Sequence, residues 1–265
     1  MKKLLFFLIL ILALGCQKEN PAQKIAEEIL SAERDLLPSE IQILNLLRLP
    51  TDGYAAITSY ATLSTQPFRG PEVVIRAYGY SKAGIKSDFG GLTFGTVVAN
   101  PISTTNNDYL TVGVPGAKDL YGTNSAISLA GKNGLPGFSS NFYIPKMMTI
   151  TSPSFSNNST ISQGTTITWE SDSNNSFGVG IAIDYDPNGV ENSHQNESGG
   201  TVLNLVRTQD SGSYTISASD LAGIPVNAEL TLRIGRGNYQ RVTMPNDYHF
   251  GLIAYSIVAH AFIRQ

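Results

Sequence analysis

From Tyr54 onward the chain is built of short runs of β-branched and aromatic residues, each closed by Gly, Pro, Asn or Asp. That texture directs the chain to a mainly β fold. The early runs are Ala55–Leu63, Glu72–Tyr80, Leu92–Val98, Tyr109–Val114, Ala126–Leu129 and Asn141–Ile144. Turn signals separate them, among them Gln66-Pro67, Asp88-Phe89-Gly90-Gly91 and Lys132-Asn133-Gly134. Pro145 and Pro153 then bracket a single run, Met147–Thr151, which marks a boundary. Beyond it come Ile161–Thr168 leading to Trp169, then Val179–Tyr185, Thr201–Val206, Ser213–Ile216, Glu229–Gly235, Arg241–Met244 and the long Phe250–Ile263. Val179, Ile181, Ile183 and Tyr185 alternate strictly with Gly180, Ala182 and Asp184, as the two faces of a strand require. About seven short strands at roughly 8–12-residue spacing predict a β-sandwich. Gly235-Arg236-Gly237-Asn238 reads as a turn between two of them.

The first residues give the chain an address. Met1-Lys2-Lys3 precedes an apolar run from Leu4 to Leu14, which ends at Gly15-Cys16. A membrane-spanning helix needs about 20 apolar residues, so this shorter run reads as a cleaved export signal. Leu12-Ala13-Leu14-Gly15-Cys16 resembles the lipobox of bacterial lipoproteins. The resemblance implies that Cys16 carries diacylglycerol and palmitate, becomes the new N-terminus and anchors the chain in a membrane. Cys16 is the only cysteine, so it has no disulfide partner in the chain, and acylation accounts for a lone thiol in an oxidising compartment. Paired acyl chains hold a protein on a bilayer stably where one chain is marginal. Gln17-Lys18-Glu19 resembles the charged export tags of surface lipoproteins in the Bacteroidota, which implies the outer membrane, on its periplasmic or cell-surface face.

Residues 22–49 carry helical periodicity. Ile25, Ile29 and Leu36 share a stripe away from Glu27, Glu28, Glu33 and Arg34, and after Pro38 a second apolar face begins at Ile41, Leu44 and Leu47. One or two helices are expected, leading from the lipid to the body or packing on it as a lid. The organisation expected is a signal peptide at 1–15, a lipid-anchored tether with short helices at 16–50, a β-rich region at 51–147 and a sandwich at 148–265.

Charged residues make up only 15% of the chain, with 25 Gly, 12 Tyr and 11 Phe, a balance common in extracellular β proteins. The formal net charge of −3 becomes more acidic when Lys2 and Lys3 leave with the signal, and Lys and Arg form no cluster. Nucleic acid is therefore excluded as a partner.

Two features of the C-terminal half resemble immunoglobulin-like domains: Trp169 in the strand Ile167-Thr168-Trp169, and Asp210-Ser211-Gly212-Ser213-Tyr214. The likeness implies that Trp169 fills the core and that Tyr214 forms a tyrosine corner, with Ile216 where the second disulfide cysteine would stand. Asp184, Asp186 and Asn188 set oxygens at alternate positions before Gly189, which resembles the start of a calcium loop. Calcium takes about six to eight oxygens, and Gln195 stands where such a loop supplies a bidentate Glu, with Glu197 two residues late. The other reading is a hairpin turn with solvated acids.

His194, His249 and His260 have no metal-ligand spacing, and the chain has no nucleophile elbow, phosphate-binding glycine loop or zinc-protease helix. No cofactor is expected. Two function classes follow. One is a non-catalytic binding or structural module for glycan or another envelope protein. The other is a hydrolase of envelope or polysaccharide substrates, using two dispersed carboxylates about 5–10 Å apart. The aromatics of Phe138–Tyr143, with Tyr109 and Tyr121, fit either a sugar-stacking groove or the core.

Overall fold

The computed structural model describes residues 51–62, 69–99, 109–113, 115–153, 159–187 and 201–265. Cys16, the signal run and the helices expected over 22–49 lie outside the described residues. Among those residues the fold is mainly β and has no α-helix. In chain order the first strands are β1 (Gly53–Thr62), β2 (Arg69–Tyr80), β3 (Lys86–Ser87), β4 (Leu92–Phe94), β5 (Val97–Ala99), β6 (Tyr109–Val112), β7 (Thr123–Leu129) and β8 (Phe138–Ile144). They are followed by β9 (Ile150–Ser152), β10 (Thr160–Ile161), β11 (Thr166–Trp169), β12 (Val179–Tyr185), β13 (Val202–Thr208), β14 (Ser213–Thr215), β15 (Glu229–Met244) and β16 (Tyr248–Arg264).

One large sheet dominates, in the order β13-β12-β15-β16-β1-β2-β3, with β6 beside β2 and β10 beside β16. Its spine is the β15–β16 hairpin, paired from Glu229↔Ile263 to Met244↔Tyr248. The hairpin turns through Asn246 and Asp247, whose φ values of 61° and 57° lie in the left-handed region that Asn and Asp tolerate better than most residues. β1 lies parallel to β16 and antiparallel to β2, so strands from both sides of Met147 share one sheet.

The reading of Gly235–Asn238 as a turn is corrected: all four residues lie inside β15. Both glycines point to one face and Arg236 and Asn238 to the other, so the alternation of Leu230, Leu232 and Ile234 simply continues. Leu92–Val98 is two strands, β4 and β5, turned at Gly95 with φ 56°, and Ile161–Thr168 is interrupted at Gly164 with φ 88°.

Two small sheets pack on one face of the large one. The four-stranded sheet β5-β4-β7-β8 covers the turn end of the hairpin, setting Leu92, Phe94, Ile127 and Phe142 against Ile57, Ile75, Phe250 and Leu252. The three-stranded sheet β14-β11-β9 covers the open end, setting Ile167 and Trp169 against Ile181, Ile183, Leu232, Ile234 and Phe262. Each of these side chains contributes about 1.5–3 kcal/mol by leaving water. Packing at the turn end is close: a Cβ on Gly53 would lie 2.6 Å from the Tyr78 carbonyl oxygen and 2.7 Å from the Phe250 ring.

Asp88 fastens the rim of the first core. Its carboxylate accepts hydrogen bonds from Lys132 Nζ at 2.7 Å, from the Tyr109 hydroxyl and from the Gly90 N–H at 2.8 Å. The Lys132 contact, then the other two donors, lower its pKa from 3.8 to about 2. A carboxylate held lower in the folded state stabilises the fold above its unfolded value and loses that contribution as pH falls through the folded one. Urea midpoints are expected to drop between about pH 4 and pH 2, and Asp88→Asn to flatten part of that drop. A pH profile identical in the two proteins would refute the assignment.

Candidate functional site

Between the two cores, the inward face of β15 turns polar. Arg236, Asn238 and Gln240 follow Ile234 and precede Val242, beneath the line where the two small sheets meet. A buried polar group costs free energy unless it is hydrogen-bonded, and these side chains meet backbone and hydroxyl groups left at that junction. Asn238 Nδ2 donates to the Tyr143 carbonyl at 2.8 Å, and Gln240 Nε2 donates to Ser140 Oγ at 3.0 Å. On β16 the neighbouring Ser256 Oγ accepts from the Met148 N–H at 2.8 Å.

Arg236 is the centre of this seam, with a side chain 0% exposed. Its Nη1 lies 3.4 Å from Asp210 Oδ2 and 4.0 Å from Asp172 Oδ2, and its Nη2 donates to the Glu170 carbonyl. Burial lowers the pKa of the guanidinium, and Asp210, Asp172 and Glu170 oppose that shift. An arginine stays charged even so, and two carboxylates balance it.

Both carboxylates also accept hydrogen bonds from other groups. Asp172 accepts from the Tyr143 hydroxyl at 2.7 Å, the Lys146 N–H at 2.8 Å and the Asn174 N–H at 3.0 Å. Burial works to raise its pKa, but the Lys146 N–H, Tyr143, Asn174 and Arg236 together hold it below the ordinary value. The Tyr143 hydroxyl is pushed up to about 12, by burial first and then by Asp172. Asp210 accepts from Trp169 Nε1 at 2.8 Å and from Asn175 Nδ2 at 2.9 Å, besides facing Arg236.

A surface cleft of about 560 Å³ opens beside this node, lined by Asp172, Asn175, Phe177, Arg207, Asp210 and Ser211 among others. Arg207 closes one wall by donating Nε and Nη2 to the Phe177 carbonyl at 3.1 and 2.7 Å. A glycosidase pair needs one carboxyl that holds a proton at working pH and another free to attack or to activate water. Asp172 is held by Tyr143 and two backbone N–H groups, and Asp210 by Trp169 and Asn175 beside Arg236, so this pair ties the walls of the cleft together.

The other residues singled out from sequence are dispersed. Trp169 is 4% exposed and belongs to the second core. Tyr214 is half-buried; its hydroxyl donates to Asp220 Oδ2 at 2.7 Å, and the same oxygen accepts the Ser217 N–H at 2.7 Å. The tie therefore runs forward to a side chain, whereas a tyrosine corner ties back to the backbone upstream. Ile216 is 1% exposed. Asp184 pairs with Arg233 at 3.3 Å across the opposite face of the large sheet, Asp186 is exposed, and Asn188, His194, Gln195 and Glu197 lie outside the described residues. Among the described residues no three His, Cys, Asp or Glu cluster as a metal site would require. His249 Nδ1 lies 3.3 Å from Thr243 Oγ1, and His260 packs edge-on against Phe262.

Of the aromatics that fit either a groove or the core, Tyr109 stacks on Phe89 at 4.2 Å and Phe142 is 1% exposed, so both are core. Arg236 escaped the sequence reading because its flanking glycines look like a turn. The available signal was that Leu230, Leu232, Ile234, Arg236 and Asn238 keep one period across both glycines. No known protein-family profile matches the chain, and no curated protein matches it.

Proposed function

We propose that this chain is an extracytoplasmic lipoprotein of the bacterial outer membrane, acylated at Cys16, whose β body is a non-catalytic binding or structural module for glycan or another envelope protein. The address rests on the Leu4–Leu14 run ending at Gly15-Cys16. The non-catalytic reading rests on one observation above others: the two carboxylates at the base of the cleft, Asp172 and Asp210, are committed to Arg236, Trp169, Tyr143 and backbone donors. The alternative hydrolase would need a carboxylate pair elsewhere.

For the C-terminal half we propose an immunoglobulin-like sandwich. Supporting it, β9-β11-β14 faces β13-β12-β15-β16, β10 joins β16 in parallel, and Trp169 lies between the sheets. Asp184 we read as the ion-pair partner of Arg233 and not as a calcium ligand.

Acylation is tested by detergent phase partitioning. The native chain is expected in the detergent phase and Cys16→Ser in the aqueous phase. Equal partitioning of both into the aqueous phase would sink the lipoprotein reading.

A further inference from the structure

The cleft beside Arg236 lies between two loops, one joining β11 to β12 and the other β13 to β14, each linking the three-stranded sheet to the large one. Both loops are held. Asn175 donates Nδ2 to the Gly178 carbonyl at 2.7 Å within its own loop and to Asp210 Oδ2 at 2.9 Å in the other. Arg207 adds a second tie, to the Phe177 carbonyl. Gly178, with φ 77°, brings the first loop close against β13, where a Cβ would run into the Thr208 carbonyl. Walls ordered before a ligand arrives spare the cost of ordering them on binding.

The lining decides what fits. Small-ligand sites of this size are mostly apolar with a few polar groups, and here that balance is reversed. Ser173, Ser176, Gln209 and Ser211 are exposed and bring hydroxyl and amide groups, while half-buried Phe177 is the one ring in the lining among the described residues. Asn175 is 7% exposed and its Oδ1 has no hydrogen-bond partner, so the wall keeps an acceptor for which the chain provides no donor. Asp172 and Asp210 are matched by Arg236 behind them and by Arg207 in the wall, so among the described residues the cleft carries no net charge. A peptide anchors through large apolar or aromatic side chains in desolvated pockets, which this polar cleft does not offer. A charged ligand would find no countercharge left over. The remaining fit is a neutral molecule with many hydroxyls and one apolar face, the chemistry of a pyranose ring. We infer that the cleft binds a neutral sugar unit of a glycan, its apolar face on the Phe177 ring and its hydroxyls on Gln209 and Ser211. This assignment rests on the glycan reading proposed above and gives it a place and a sugar class.

The test titrates the full chain, in a sugar-free detergent, by calorimetry with oligosaccharides of glucose, galactose, mannose, xylose and N-acetylglucosamine. Oligogalacturonate is the acidic reference. At least one neutral oligosaccharide is expected to bind, and more tightly than the acidic one. Phe177→Ala removes the stacking ring and is expected to weaken that binding at least about tenfold, the size of one lost aromatic contact. Ser211→Trp fills the cleft from an exposed position and is expected to do the same; where Phe177→Ala lowers the melting midpoint, this second variant decides. Val98→Ser, at a 53% exposed position on the other small sheet, is expected to leave binding unchanged. Tighter binding of oligogalacturonate would overturn the inference. Binding kept at full strength by both cleft variants would overturn the cleft assignment while the glycan reading stands. No binding of any oligosaccharide would overturn the inference and the glycan reading together.

Discussion

Replacing Arg236 with methionine is expected to cost about 3–5 kcal/mol of stability, the usual result of removing one partner from a buried ionic group. Methionine fills similar space, so the loss is electrostatic: Asp210 and Asp172, with side chains 2% and 1% exposed, would keep their negative charge with no cation to balance it. The measurement is urea unfolding followed by tryptophan fluorescence and far-ultraviolet circular dichroism. Coincident transitions are expected, because the seam joins both cores through one hairpin. Adding Asp210→Asn to the methionine variant is expected to recover part of the loss, since the amide removes a stranded charge and keeps an acceptor for Trp169. A cost under about 1 kcal/mol for Arg236→Met, the level of a surface pair, would mean that Arg236 carries no such role.

Trp169→Ala should be comparably damaging, by about 3–5 kcal/mol, because the second core loses its largest ring and keeps the cavity. Trp169→Phe separates the two contributions. The phenyl ring keeps most of the packing but cannot donate to Asp210, and a buried acceptor that loses its donor costs about 1–3 kcal/mol. Both variants are read by thermal melting. An unchanged midpoint for Trp169→Ala would contradict its place between β11 and the large sheet.

Strand positions were legible because alternation is local. Val179–Tyr185 is a strand as read, and Trp169 is buried in the second core, where the likeness to immunoglobulin-like domains placed it. Partnerships across long stretches of chain were not legible. Nothing near Trp169 indicates that its indole meets Asp210, and nothing in Ala55–Leu63 indicates that this stretch runs beside β16. The Gly235–Asn238 reading failed for a different reason. Glycine marks a turn when it supplies a backbone conformation, but here it supplies absence of side chain, and a sequence does not distinguish the two uses. The candidate site suffered most, since its key residue sat inside that misread stretch.

The parallel pairing of β1 with β16 has a mechanical consequence. Tension between a chain held at its N-terminus and a load near its C-terminus would pull β1 and β16 in opposite directions along their lengths. The ladder from Gly53↔Phe250 to Thr62↔Ala259 would then bear the force in shear, its rungs loaded together and not peeled one by one. Resistance to pulling is set by the unfolding rate and not by equilibrium stability, so this chain would hold under traction along that axis far longer than its melting point alone suggests.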